Sequence, residues 1–443
     1  MLQNIKDSSK KLLVSTKQKA LSKTNSLLNS TKSKEKYIVA LDIGTEYVKA
    51  LIARSTADSE NLEIIGVGKS HQKLTDMQSG AISDIAGVVE NCDKALSEAE
   101  EQAKVSARSV VIGIAGELVK GMTNTVKISR KDPTIPIDAE EMDKIITLVQ
   151  QKSENRAKQQ LAYELGGKNV DVRLVNSALV SIEIDGYPIS NPIGFQGRDV
   201  VIGLYTAFAP MIHIGALEKT AQELDLDLIA VAAEPFAVSR AVIGNDPNQN
   251  LSAILMDVGG GTTDIAVINE GGVQGTKMFG IGGRAYTRSI ERELGITFDQ
   301  AEKIKLNLSS NQIPTQKRPI IELALEKTAD TWVSGVELGL SEFDKLDNLP
   351  YRMFLCGGGS SLDLLLDTLE QTDWYKNLPF TKKPVVHHIR PEQVIGIVDR
   401  TGSINDHTFI TAMGLLRVGM DTIDFDPNAS DSIKAKLDKI LSI

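Results

Sequence analysis

The apolar residues of this chain fall into short runs of strand length, separated by turn residues and by longer amphipathic stretches. Tyr37 to Leu41 is a continuous apolar run. It enters the turn Asp42-Ile43-Gly44-Thr45-Glu46, and a returning strand is predicted over Tyr47 to Ala53, with a third over Leu62 to Val67. A second block of the same design begins at Ala253. There the apolar run Ala253 to Met256 enters Asp257-Val258-Gly259-Gly260-Gly261-Thr262-Thr263-Asp264, and Ile265 to Ile268 leads out. Apolar strand, Asp, small turn residues with Thr, strand: the pattern occurs twice, 215 residues apart. Its recurrence predicts two related halves facing one another, each offering a hairpin and a carboxylate to a shared cleft.

Between the hairpins, the spacing predicts a helix over Ile85 to Lys104 and a strand over Val110 to Ile114. A segment with its own rhythm follows: strand Thr125 to Ile128, long polar helix Asp138 to Glu164, and strands Val172 to Ile184 and Val200 to Thr206. Pro133, Pro136, Pro188 and Pro192 punctuate it, so residues of about 115–208 read as an inserted α+β unit. Next come a helix at Ala216 to Glu223, a strand at Leu228 to Ala232, and Glu234-Pro235 before an apolar helix, Phe236 to Val242. Past the second hairpin, helices are predicted over Ala285 to Leu294, around Glu302 to Lys305, and over about Ile320 to Phe343. Strand Tyr351 to Leu355 then enters Cys356-Gly357-Gly358-Gly359-Ser360-Ser361, and a helix begins at Leu362. Ser430 or Asp431 can cap a last short helix carrying Ile433, Leu437, Ile440 and Leu441.

At 443 residues the chain exceeds a single typical core, which fits several subdomains. Its two cysteines, Cys92 and Cys356, form no CxxC pair, so neither a disulfide scaffold nor a thiolate zinc site is expected. No apolar run reaches the roughly 18 residues that a membrane span requires, and no signal-peptide core is present at the start. Charge is unevenly distributed. Residues 1–36 hold nine lysines against Asp7 and Glu35, a local +7, which leaves −16 on the remainder of a chain whose net charge is −9. An acidic body does not suit nucleic acid, whereas the basic arm suits acidic headgroups or an acidic partner. The arm's alternatives are a solvated tail and an imperfect amphipathic helix on Leu12, Leu13, Leu21, Leu27 and Leu28.

The candidate chemistry lies in the turns. Three successive glycines let backbone N–H groups converge on an anion, and a carboxylate at the same place implies a cation between the two. Taken alone, the Asp257 turn could also be a bare hairpin tip. Gly280 to Gly283 before a helix offers a second anion site, and strand, glycines and a hydroxyl at Gly357 to Ser361 a third. Glu234 reads either as a first-turn acid favoured by the helix dipole or as a carboxylate aimed into the cleft to orient a water. Glu302 and Lys305, three apart, read locally as a surface ion pair, and His213 as structural.

Taken together and in this order, these motifs resemble the actin/Hsp70/sugar-kinase ATPase superfamily, over about residues 37–420. Within it the chain is most similar to FtsA, the actin-like bacterial cell-division family. That resemblance rests on Gly80-Ala81-Ile82-Ser83-Asp84, Asn191 to Gly197, Ala301-Glu302-Lys303-Ile304-Lys305 and the order of subdomains. The pilus-assembly family PilM shares the insert and is the nearest rival. The chain departs from FtsA in its basic arm, in a longer, more polar insert helix, and in a C-terminal helix without aromatic or Arg residues.

The resemblance implies an α/β actin-like fold: two RNase H-like halves around a nucleotide cleft, with an SHS2/1C-type insert. Its divisions are a basic arm (1–36), subdomain 1A (37–114 and 209–250), the 1C insert (115–208), subdomain 2A with 2B at about 284–346 (251–421), and an acidic linker with a short helix (422–443). It further implies ATP and Mg²⁺. Asp42 and Asp257 would hold the metal through water. Gly44, Thr45, Glu46 and Tyr47, with Gly259, Gly260, Gly261 and Thr262, would cradle the phosphates. Gly282 and Gly283 would approach phosphate or ribose. Glu302 and Lys305 would grip the nucleoside from one side, and Gly357, Gly358, Gly359 and Ser360 from the other. Glu234 would orient the attacking water, with ATP as clamp and switch and turnover slow. The implied function is a filament at the cytoplasmic membrane face that links an FtsZ-like tubulin homologue and other divisome proteins to the membrane. The alternatives are a PilM-like pilus-assembly ATPase and a small-molecule phosphotransferase. An Hsp70-type chaperone is disfavoured, since no substrate-binding module follows residue 420.

Overall fold

The computed structural model of the chain describes residues 35–55, 61–243, 251–308 and 316–422. The basic arm, except for residues 35 and 36, and the expected C-terminal helix lie outside these. In chain order, β1 (Lys36–Ile43) and β2 (Tyr47–Ser55) form the first hairpin and β3 (Leu62–His71) follows. A small hairpin, β4 (Met77–Gln78) and β5 (Ala81–Ile82), precedes α1 (Ile85–Ala103) and β6 (Ser109–Ile114). Then come β7 (Lys120–Ser129), α2 (Ala139–Glu164), β8 (Val172–Ile184), β9 (Tyr187–Pro188) and β10 (Asp199–Pro210). The chain returns through α3 (Met211–Glu223), β11 (Asp227–Ala233) and α4 (Glu234–Ile243). The second half runs β12 (Ala253–Val258), β13 (Thr263–Asn269), β14 (Gly272–Phe279), α5 (Gly283–Leu294), α6 (Phe298–Leu306), α7 (Arg318–Ser341) and β15 (Arg352–Cys356). It closes with α8 (Asp363–Gln371), β16 (Val385–His388), β17 (Ile397–Asp399) and α9 (Ile410–Thr422).

The repeat expected from the two Asp turns is a repeat of topology. In the first sheet β1, β2 and β3 pair antiparallel, while β6 lies parallel to β1 and β11 parallel to β6. In the second, β12, β13 and β14 pair antiparallel, β15 lies parallel to β12 and β16 parallel to β15. Strands buried on both faces need continuous apolar runs, and β1, β2, β12 and β13 are buried almost throughout. Fully buried side chains such as Ile38, Leu41, Leu51 and Ile52 each stabilise by roughly 1.5–3 kcal/mol.

The strands of 115–208 do not stand apart from this framework. They extend the second sheet, in the order β14-β7-β10-β8-β9, through a join of two residue pairs, Gly275↔Met122 and Thr276↔Gly121. The segment nevertheless packs its own core, with Met142, Ile146 and Val149 of α2 against Ile182, Ile202 and Leu204. Strand β14 was not anticipated, because Gly272 and Gly275 interrupt its alternation. Helix α3 starts at Met211, five residues before its predicted start. Met211 and Ile212 are exposed there, and that breaks the one-sided pattern a helix normally shows. Helices α4 and α9 cross beneath the cleft so closely that a side-chain carbon on Gly414 would sit 2.3 Å from the Ala237 carbonyl oxygen.

Candidate functional site

Both hairpins tighten their turns with a backbone bond: Gly44 N–H to the Tyr47 carbonyl at 3.1 Å, and Gly259 N–H to that of Thr262 at 2.9 Å. The two tips then meet. A side-chain carbon on Gly260 would lie 2.8 Å from Glu46 Cβ, and one on Gly261 would lie 2.7 Å from Thr45 Oγ1. The third glycine segment closes on the same place. Gly357 has φ +83°, and a Cβ there would fall 2.0 Å from Asp257 Oδ1. The glycines therefore let three backbone segments stack at distances that any side chain would prevent.

Around them opens a cleft of about 690 Å³. It is lined by Asp42, Gly44, Thr45, Glu46, Tyr47, Glu234, Asp257, Gly259, Gly260, Thr262, Gly283, Glu302, Lys305, Gly357, Gly358 and Gly359, all expected from the sequence. Three expected residues stand back from it. Gly261 abuts Thr45, and Gly282 packs on the hairpin backbone, where a Cβ would lie 2.6 Å from the Gly259 carbonyl oxygen. Ser360 is a correction. Its hydroxyl is buried and donates to the Gly357 carbonyl at 2.8 Å, while the neighbouring Ser361 lines the cleft instead. The expected hydroxyl cap is also absent, since α8 is preceded by Leu362 and has no side-chain cap bond.

Four carboxylates, Asp42, Glu234, Asp257 and Asp264, are buried at the inner end with Lys49. Lys49 Nζ lies 2.8 Å from Asp42 Oδ2, its register partner across the hairpin. Burial opposes the Lys49 ammonium, but Asp42, Asp257 and Glu234 more than offset it and keep it a cation. Burial, then repulsion from Asp42, Asp264 and Asp257, pushes the Glu234 carboxyl well above the usual range. Asp264 is pushed up in the same way by burial and by Asp257. The same burial raises Asp257, although the Thr411 hydroxyl, which donates to its Oδ2, works the other way. Asp264 accepts from Thr262 Oγ1 at 3.2 Å with one oxygen; its Oδ1 is buried without a hydrogen bond. Gly113 makes room for Glu234, since a Cβ there would come 2.9 Å from Glu234 Oε1.

This donor set fits a hydrated divalent cation. Oxygen ligands are in excess over the local positive charge, and one carboxylate oxygen is left without a partner. Among the described residues no three His, Cys, Asp or Glu side chains converge to hold a metal by themselves, so water and ligand oxygens would complete the shell.

At the outer end Lys305 pairs with Glu302 at 2.8 Å and donates to the Gly283 carbonyl at 3.1 Å and to Thr287 Oγ1 at 2.9 Å. The pair is therefore a partly buried brace on the start of α5, not only a surface bridge. Arg284 was not anticipated. From α5 it crosses to the first hairpin, with Nε 2.6 Å from Glu46 Oε2 and an NH2 nitrogen 2.6 Å from the Thr45 carbonyl. Lys49, Asp264 and Thr411 were missed as well. Of these, Asp264 closes the second turn pattern seen in the sequence, whereas Lys49 and Thr411 are brought to the site only by the fold.

The family model described as "Cell division protein FtsA" matches residues 254–414. The FtsA of Pseudomonas aeruginosa is 25% identical over 406 residues, covering 87% of this chain and 89% of that protein. The FtsA of Streptococcus pneumoniae is 26% identical over 359 residues, covering 76% and 74%. A solved structure titled "PilM-PilN type IV pilus biogenesis complex" superposes with a TM-score of 0.61 at 15% identity, covering 86% of this chain and 98% of the matched one. That likeness bears on the fold alone. With its doubled topology and its glycine-lined cleft, the chain has the actin-like ATPase fold, and its sequence is similar to that of FtsA.

Proposed function

We propose that the cleft binds ATP with Mg²⁺, and that the chain is a cell-division protein that forms ATP-dependent filaments at the cytoplasmic face of the membrane, linking an FtsZ-type ring to it. The observation that carries the reading is the buried cluster of four carboxylates facing two glycine-edged hairpins, on a chain similar to FtsA. When bound, Mg²⁺ would neutralise phosphate charge next to the carboxylates. Asp42 and Asp257 would hold the hydrated metal, and Lys49 adds a fixed positive charge beside Asp42. Backbone N–H groups of the two hairpins face the phosphates. Glu234, fixed at the start of α4, orients the attacking water, a positioning role suited to phosphoryl transfer and to slow turnover. Arg284 and the Glu302–Lys305 pair hold α5 against the ligand. Filament formation, membrane attachment and the FtsZ-type partner come from the similarity to FtsA.

The test combines the purified chain, Mg·ATP, anionic vesicles and an FtsZ-type protein. Filaments on vesicles that co-sediment the partner are expected. Asp257→Ala should melt cooperatively yet lose Mg·ATP affinity by about tenfold or more, and lose its filaments with it. ATP binding without filaments or vesicle attachment would move the reading to a pilus-assembly role. ATP turnover that rises sharply with one metabolite would move it to a phosphotransferase.

A further inference from the structure

Two histidines lie behind the third glycine segment. His388 ends β16, and His407 sits in the turn His407–Phe409 that leads into α9. Their rings are stacked, with centroids 4.0 Å and planes 13° apart. Each ring also holds the loop between β15 and α8. His388 Nε2 donates to the Ser360 carbonyl at 2.9 Å, and His407 Nε2 shares a hydrogen bond with the Ser361 hydroxyl at 3.0 Å. The His407 carbonyl accepts the Gly357 N–H at 3.2 Å. Two points of one short loop are thus tied to the ring stack, and a third to the His407 backbone. Ser361 and Thr408, the neighbour of His407, both line the cleft.

We propose that His388 and His407 are positioning residues that, stacked with His407 neutral, hold Gly357 to Ser361 in the shape that receives the nucleoside end of the ligand. The proposal rests on the reading of the cleft as a nucleotide site. The stack is sensitive to charge, because a proton on His407 would place a cation 4.0 Å from the His388 ring. The groups facing His407 are His388 from β16 and Ser361 from the loop, with Asp406 on its own turn and Lys69 of β3 acting on Asp406. Burial, and then His388, hold His407 down at about 4, against the pull of Asp406. A released loop returns His407 toward its ordinary value of 6.5. The hold on the loop is therefore complete above that value and is lost as pH falls from it toward 4.

Binding of a fluorescent ATP analogue with Mg²⁺ to the full chain, from about pH 7.5 to about pH 5, tests this. Wild-type affinity should fall on the acid side. His407→Leu and His388→Leu should each weaken binding roughly fivefold at neutral pH, the scale of one hydrogen bond, with the melting temperature measured without nucleotide as the control for folding. His407→Gln, which keeps a partner for Ser361 but does not titrate, should bind within about twofold of wild type at neutral pH and make the acid limb shallower, leaving only the part that the cleft carboxyls contribute. Ser361→Ala, made on the loop side, should match His407→Leu, and combining the two should add little. Leucine variants that bind like wild type, or a His407→Gln variant whose acid loss is as large as that of wild type, would overturn the proposal. A wild-type chain that binds no nucleotide at any pH would instead remove the nucleotide reading itself.

Discussion

Asp264 shows most directly how the site works against the stability of the fold. Its carboxylate is buried, faces Asp257 across the hairpin register, and leaves Oδ1 without a hydrogen bond. Ionising this carboxyl destabilises the empty protein, as its raised pKa reflects, and becomes useful only with a cation nearby. Asp264→Asn is therefore expected to stabilise the free chain by about 0.5–2 kcal/mol in thermal melts while Mg·ATP affinity falls. A lower melting temperature would contradict mutual repulsion among these carboxylates. At this scale Asp42 and Asp257 were legible because each stands at a strand end beside small residues, whereas Glu234 read locally just as well as a plain first-turn acid. Lys49 was not legible: a lysine within an apolar strand reads as pointing outward, and only the register turns it onto Asp42. Ser360 and Ser361 could not be told apart, because in a tight 3-10 turn successive side chains point in different directions around the axis.

Among the elements, Arg284 does what neither of its neighbourhoods could do alone. Helix α5 belongs to the second half and the β1–β2 turn to the first, yet one guanidinium bonds both Glu46 and the Thr45 carbonyl. A fork of this kind is geometrically specific, and the pair is largely shielded from solvent. Arg284→Ala should speed release of bound nucleotide several-fold, measured by stopped-flow displacement, and should also lower the melting temperature, since Glu46 is left largely shielded without its guanidinium partner. An unchanged release rate would mean that the contact does not help to keep the cleft closed. Long elements such as α2 and α7 were legible from their periodicity, and the paired hairpins from their apolar runs. Long-range contacts such as Arg284 to Glu46 leave no periodic trace.

Over the whole molecule, the doubled five-strand topology was foreshadowed by the repeated Asp turn, whereas the merging of 115–208 into the second sheet was not. The merger depends on β7 meeting β14, two strands that lie far apart in sequence. It also depends on Gly121, where a Cβ would approach Thr276 Oγ1 to 2.0 Å and the Tyr205 hydroxyl to 2.5 Å. Gly121→Val should part the two strands, accelerating amide exchange in β7 and β14 while β12 and β13 stay protected. Uniform protection would show that the join tolerates the extra bulk.

That join is two residue pairs wide, beside neighbouring ladders of seven and ten. In mechanical terms it is a waist. A pull between the far edge of 115–208 and strands β12 to β14 is carried across the sheet by those pairs and two side-chain bonds, from Thr123 Oγ1 to the Val273 carbonyl and between the Tyr205 hydroxyl and Thr276 Oγ1, so the load per hydrogen bond peaks there. In a molecule that bears tension, the sheet would yield first at Gly121 and Thr276, leaving the two glycine-edged hairpins intact.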